Sequence, residues 1–139
     1  MISIKPYESI GPVSFGMNAT RVVELLGPPA AKTNTSMGQT YDYGDMSVMF
    51  EGGALTEASF SPAVPVEVRG VDVFADNMAF KKLVLMDGCP REFHGFIVFY
   101  NLGIALSGFH DGDEANKAIV AFGRGVWDAF RSESSQFKL

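Results

Sequence analysis

Cys89, His94 and Asp87 are the residues from which a nucleophile, a general base and an orienting acid can be assembled. A thiol attacks only as its thiolate, and lowering its pKa takes a helix N-terminus or a fixed cation beside it. Cys89 instead lies in a D-G-C-P turn and His94 begins a strand-like run, so neither activator is at hand. The pair reads as a small apolar cysteine under a loop and a strand-edge histidine. His110-Asp111-Gly112-Asp113-Glu114 gathers a second set of donors. A calcium loop wants oxygens at alternating positions and a bidentate Glu about eleven residues past the first. Glu114 comes too early for that role, and no acid follows it before Asp128. Zinc needs a further His or Cys to meet His110, and His94 is the only other histidine. The stretch reads as a solvated hairpin loop. Gly123-Arg124-Gly125 lacks the Lys-Ser/Thr and the later glycine of a phosphate loop, and reads as a C-terminal bend. The expectation is therefore no catalytic residue, no cofactor and no metal.

The elements that would position such groups follow from spacing. In residues 15–60, Asn18 can accept from a free N–H of a helix's first turn, and Met17 with Val22 can staple across that cap. Val22, Leu25 and Leu26 share one face, and Gly27-Pro28-Pro29 ends the helix. Residues 30–39 are polar and small, and read as a loop. Tyr41 and Tyr43, then Met46, Val48 and Phe50, then Ala58 and Phe60 alternate with polar neighbours, as strands with one core face do. Residues 2–7 read as an edge strand, because Pro6 fits poorly in a central one.

The same succession returns after the linker at 62–65. Residues 66–73 read as a strand, Asp76 as a cap, and Phe80, Leu83 and Val84 as a helix face. That face repeats Val22, Leu25 and Leu26 at a constant offset. Three strand-like runs follow, at 93–100, 103–109 and 118–122. The reading is an α+β fold: two tandem (β)-α-β-β-β repeats, at 1–61 and 66–123, forming an antiparallel sheet with helices on one face. A C-terminal helix and tail occupy 124–139, and the whole is a single domain. Met46, Met49, Met78 and Met86 read as core filler.

G-P-V-S-F-G-M-N-A-T-R-V-V-E-L-L-G-P-P, followed by Tyr41 and Tyr43, resembles the repeat of small bacterial outer-membrane-assembly lipoprotein domains of the SmpA/OmlA type. Beta-lactamase-inhibitory-protein-like domains are built from two such units. The matching positions are Gly16, Met17, Val22, Leu26, Gly27, Pro29, Tyr41 and Tyr43. The resemblance implies helices packed on an antiparallel sheet and proteins that act by binding other proteins.

Of 139 residues, 47% are hydrophobic and 19% charged, which favours a globule over a disordered chain. A net charge of −5 with no basic run argues against nucleic acid and against an anionic membrane surface. No apolar run approaches the roughly 20 residues of a spanning helix, and no signal peptide is legible, so the expected location is cytoplasmic. The functional expectation is a non-catalytic protein-binding module, inhibitor- or immunity-protein-like, with a partner of unknown identity. The alternative is a small-ligand carrier or enzyme with a cavity between sheet and helices, lined by Tyr41, Tyr43, Phe96 and Tyr100. In the run Phe96-Ile97-Val98-Phe99-Tyr100 both faces are apolar. Taking Phe96, Val98 and Tyr100 as inward leaves Ile97 and Phe99 outside, joined by Phe109 and Ile119. These four are the expected protein-binding residues, and a homodimer through them is the expected assembly.

Overall fold

Asn18 caps α1 (Ala19–Leu26) as its position predicts, its side-chain oxygen accepting the Arg21 N–H at 2.9 Å in a computed structural model that describes residues 1–139. The helix stops at Gly27, whose φ of 86° suits glycine alone, and the Tyr43 hydroxyl donates to its carbonyl at 2.9 Å. The second helix, α2 (Ala79–Asp87), starts later than Asp76 predicts. Met78 is the residue at the cap position and gives no side-chain acceptor. Asp76 instead folds back from outside the helix, accepting from the Met78 N–H at 2.8 Å and from Lys82 Nζ at 2.5 Å. A third helix, α3 (Asp128–Arg131), is a single turn.

The protein is mixed α+β, with two sheets in which antiparallel pairs dominate. The smaller sheet comprises β1 (Ile2–Lys5), β2 (Ser9–Ile10), β3 (Val13–Ser14), β8 (Val66–Val68) and β9 (Val71–Asp72). Its order is β3-β2-β1-β8-β9, and only β1 and β8 run parallel. The larger sheet comprises β4 (Ala31–Asn34), β5 (Gln39–Asp42), β6 (Met46–Glu51), β7 (Ala54–Phe60), β10 (Arg91–Phe93), β11 (Phe96–Phe99), β12 (Ile104–Ser107), β13 (Ala118–Phe122) and β14 (Ser135–Gln136). Its order is β14-β10-β11-β12-β13-β7-β6-β5-β4.

Four strand expectations change. Residues 31–34 form an edge strand and not a loop, because antiparallel pairing with β5 needs backbone groups and no apolar side chain. The run at 93–100 is broken by His94-Gly95, with φ values of 47° and 84°, into the β10–β11 hairpin. Residues 66–73 likewise fold as a hairpin about Arg69-Gly70. The strand at the N-terminus is central in its sheet, since it ends at Lys5 and leaves Pro6 outside the ladder.

Both long helices and the smaller sheet lie on one face of the larger sheet. Val22 from α1, Leu83 and Val84 from α2, and Ile4, Val66 and Val68 from the smaller sheet join Val48, Phe60, Ile104 and Leu106 in one continuous core. The opposite face of the larger sheet carries a second cluster: Val98, Tyr100, Ala105, Val120, Phe122 and Trp127.

Candidate functional site

The four residues expected to dock a partner do not form a surface. Ile97, Phe99 and Ile119 are wholly buried in the main core, facing the helices. Phe109 is half-buried on the same side, stacked with Phe74 and Phe80 at centroid distances of 5.9 and 6.4 Å. The alternation was right and its phase was wrong. Ile97 and Phe99 point to the core; Phe96, Val98 and Tyr100 point away from it, to a face that the C-terminal segment covers. Trp127 lies parallel to Phe122 at 5.0 Å, Phe130 stacks on Phe93 at 4.7 Å, and the Tyr100 hydroxyl donates to the Trp127 carbonyl at 3.0 Å. The apolar face that motivated a homodimer is thus covered within the chain.

The cavity reading fails for the same reason of phase. Tyr41 packs on Phe50 and Tyr43 reaches Gly27, both on the helix side, whereas Phe96 and Tyr100 lie on the other face of the sheet. No single space is lined by all four.

Nor do the reactive side chains meet. Cys89 and His94 lie beyond opposite ends of β10, with its three extended residues between them. Asp87 has a structural task. Its carboxylate accepts from the N–H groups of Cys89 at 3.0 Å and Asn101 at 2.9 Å, and the Asn101 side chain donates to its carbonyl at 2.8 Å. These bonds tie the end of α2 to the β11–β12 turn. Burial raises the Asp87 pKa, while the hydrogen bonds and Arg131 pull it back. In the loop before β13, one carboxylate oxygen of Asp111 accepts from the Asp113 N–H and one of Asp113 from the Asn116 side chain, which ties the loop to itself. His110 lies against Phe80 with Nε2 at 3.6 Å from Glu92. No group of three or more His, Cys, Asp or Glu side chains is gathered as a metal site.

What the molecule does present is the outer face of α2. Six large apolar side chains are exposed: Met1 and Leu139 at the termini, Met37 in a loop, and Met78, Leu85 and Met86 together. Positions 78, 82, 85 and 86 share one side of a helix, so the three apolar groups flank Lys82, with Lys81 beside them. Leu85 is 69% exposed. In α1 the positions matching Met78 and Lys82 are Thr20 and Glu24, the latter paired with Arg21 at 2.8 Å, and those matching Leu85 and Met86 are Gly27 and Pro28, beyond the helix end. The signal was available in the sequence, since Leu85 and Met86 fall outside the stripe set by Phe80, Leu83 and Val84. Reading methionine as core filler hid it. No protein-family profile matches the chain, and no curated protein or solved structure matches it significantly.

Proposed function

We propose that the chain is a non-catalytic protein-binding module, of the inhibitor or immunity-protein kind, that docks through the outer face of α2. The observation that carries this reading is the exposure of Leu85 and Met86 on one face of α2, with exposed Met78 at its N-terminal cap. Full burial of a Leu or Met side chain is worth about 1.5–3 kcal/mol, of which Leu85 at 69% exposure has the larger part to gain and Met78 and Met86, at 46% and 42%, less than half each. Methionine and leucine with a lysine rim ask for an apolar patch bordered by acidic groups on the partner. Nothing inside the chain supplies that cover.

The two halves read as copies of one unit, and the topology supports this. Each half runs hairpin, helix, then four antiparallel strands, with β2–β3 and α1 before β4–β7, and β8–β9 and α2 before β10–β13. The larger sheet is joined where the last strands of the two meanders, β7 and β13, pair antiparallel. On this reading the second copy carries Leu85 and Met86 where the helix of the first has already ended at Gly27, which is how a duplicated unit can gain a docking surface.

A photo-reactive amino acid at position 85, introduced in the native host, should yield one discrete cross-linked protein. The same group at position 20, on the matching face of α1, should yield none. Adding Met78→Glu should abolish the adduct at 85 without loss of fold. Adducts of equal yield from both positions, or none from 85, would refute docking through α2. An adduct of twice the chain's mass would return the homodimer, with α2 as its interface.

A further inference from the structure

A second unpartnered feature lies on the outer side of the smaller sheet. Lys5 ends β1, Arg69 opens the β8–β9 turn, and Arg124 follows β13; the three line one cleft of about 470 Å³. In the parallel pair β1–β8, Ser3 stands opposite Glu67 and Ile4 opposite Val68. Lys5, the last residue of β1, and Arg69, the first of the β8–β9 turn, follow them in sequence. The chain has 16 Asp and Glu against 11 Lys and Arg, yet none of these three cations has a carboxylate within 4.0 Å. The four ion pairs of the molecule are Arg21–Glu24, Lys82–Asp76, His110–Glu92 and Lys117–Glu114.

Two acids share the cleft, leaving three cations against two carboxylates. Both oxygens of Glu67 are held by neutral donors and not by a cation, one by the Ser3 hydroxyl and one by the Gly70 N–H at 2.8 Å. Glu8 is exposed and unpaired. The Arg124 guanidinium lies over the Tyr7 ring, 4.5 Å from its centroid. Tyr7 is itself fixed, by a hydroxyl that donates to the Tyr100 carbonyl and by a left-handed backbone of φ 62°. Stacking positions a guanidinium without using its N–H donors. Arg69 has φ 48°, in a two-residue turn where Gly or Asn sits without strain; Gly11, with φ 56°, holds the like place between β2 and β3. A strained arginine is therefore kept beside two other unpaired cations.

We propose that this cleft binds a dianionic phosphoryl group carried on a small molecule. Two guanidinium groups offer paired donors to the edges of a tetrahedral oxyanion, and Lys5 adds a point charge. The site shares no residue with the α2 face, so the two readings stand or fall separately.

The test is an amide-shift titration of the full chain with inorganic phosphate at constant ionic strength. Saturable shifts are expected at Lys5, Arg69, Gly70 and Arg124, with α2 unmoved. Lys5→Met and Arg124→Gln should each weaken binding about tenfold or more. Arg69→Gly should weaken it too while leaving the thermal midpoint unchanged or higher, which separates lost binding from lost fold. Shifts that grow linearly, spread over every basic residue, or persist in the variants would overturn the site. A hexose monophosphate should bind more tightly than inorganic phosphate. Equal or weaker binding would remove the small-molecule carrier, and tighter binding of a triglutamate peptide would reassign the cleft to carboxylates.

Discussion

The outer face of the larger sheet is one surface with two fates. A single row of side chains crosses it in register, from Asp42 through Ser47, Ser59 and Val120 to Ala105 and Val98. Its first half is polar and water covers it. Its second half is apolar, and Val126, Trp127 and Phe130 fold back over it. Cover follows the chemistry of the row and not the strand connectivity, which is alike in the two halves. The boundary falls between Ser59 and Val120, where β7 meets β13.

The largest test of that contrast is Trp127→Ala. The ring lies on Phe122, meets Phe96 edge-on at 5.6 Å, and is only 7% exposed. Its removal should cost about 3–5 kcal/mol in urea unfolding, the usual range for a buried large aromatic. A loss below about 1 kcal/mol would mean that the tail rests on the sheet without sealing it, and the two halves would then differ much less than they appear on paper.

The same contrast marks where the sequence is legible. In residues 40–60 alternation named the core face correctly, because Thr40, Asp42, Ser47 and Ser59 declare the wet side and Tyr41, Val48 and Phe60 the dry one. In residues 96–100 every side chain is apolar, so period two survives but its phase carries no information. Only the partners Leu83 and Trp127, distant in sequence, decide it. Asn18 was readable as a cap because its acceptor and the N–H it serves are three residues apart. The displaced start of α2 was not, since Asp76 binds Lys82 across a turn that no local rule specifies. The cleft of Lys5, Arg69 and Arg124 joins three separate segments and was invisible for the same reason.

A smaller effect is expected from Tyr7→Phe. The ring keeps its edge contact with Phe122 at 5.9 Å, and only the hydroxyl bond to the Tyr100 carbonyl is lost. About 1 kcal/mol is the expected cost, measured by the same unfolding. Tyr7 bridges the smaller sheet to the covered half, so a cost near zero would leave Trp127 and Phe130 as that half's working cover. Smaller again is Ser47→Lys on the open half, which should change stability by no more than about 0.5 kcal/mol. A loss above 2 kcal/mol there would show that this half, too, is covered.

The smallest expected effect belongs to the boundary, and it changes with pH. Glu57 stands opposite Phe122 across the β7–β13 pair, at the edge of the Trp127 cover. Burial raises its pKa, a hydrogen bond with Trp127 lowers it less, and the nearby charge of Glu51 raises it further. A carboxyl whose pKa is higher folded than unfolded holds its proton longer in the native state. Below the ordinary carboxylate range both states are protonated and Glu57 carries no penalty. As pH rises from that range through the raised native value, the unfolded state ionises first and stability falls. Above it the deficit is constant. Glu57→Gln has no proton to lose and can still accept from the indole, so it should exceed the wild type in urea midpoint at pH 7. That advantage should close below about pH 4, where the wild-type carboxyl is neutral in both states. A gap of the same size at both pH values would assign the effect to packing, and a less stable variant at pH 7 would show that the Trp127 bond outweighs burial.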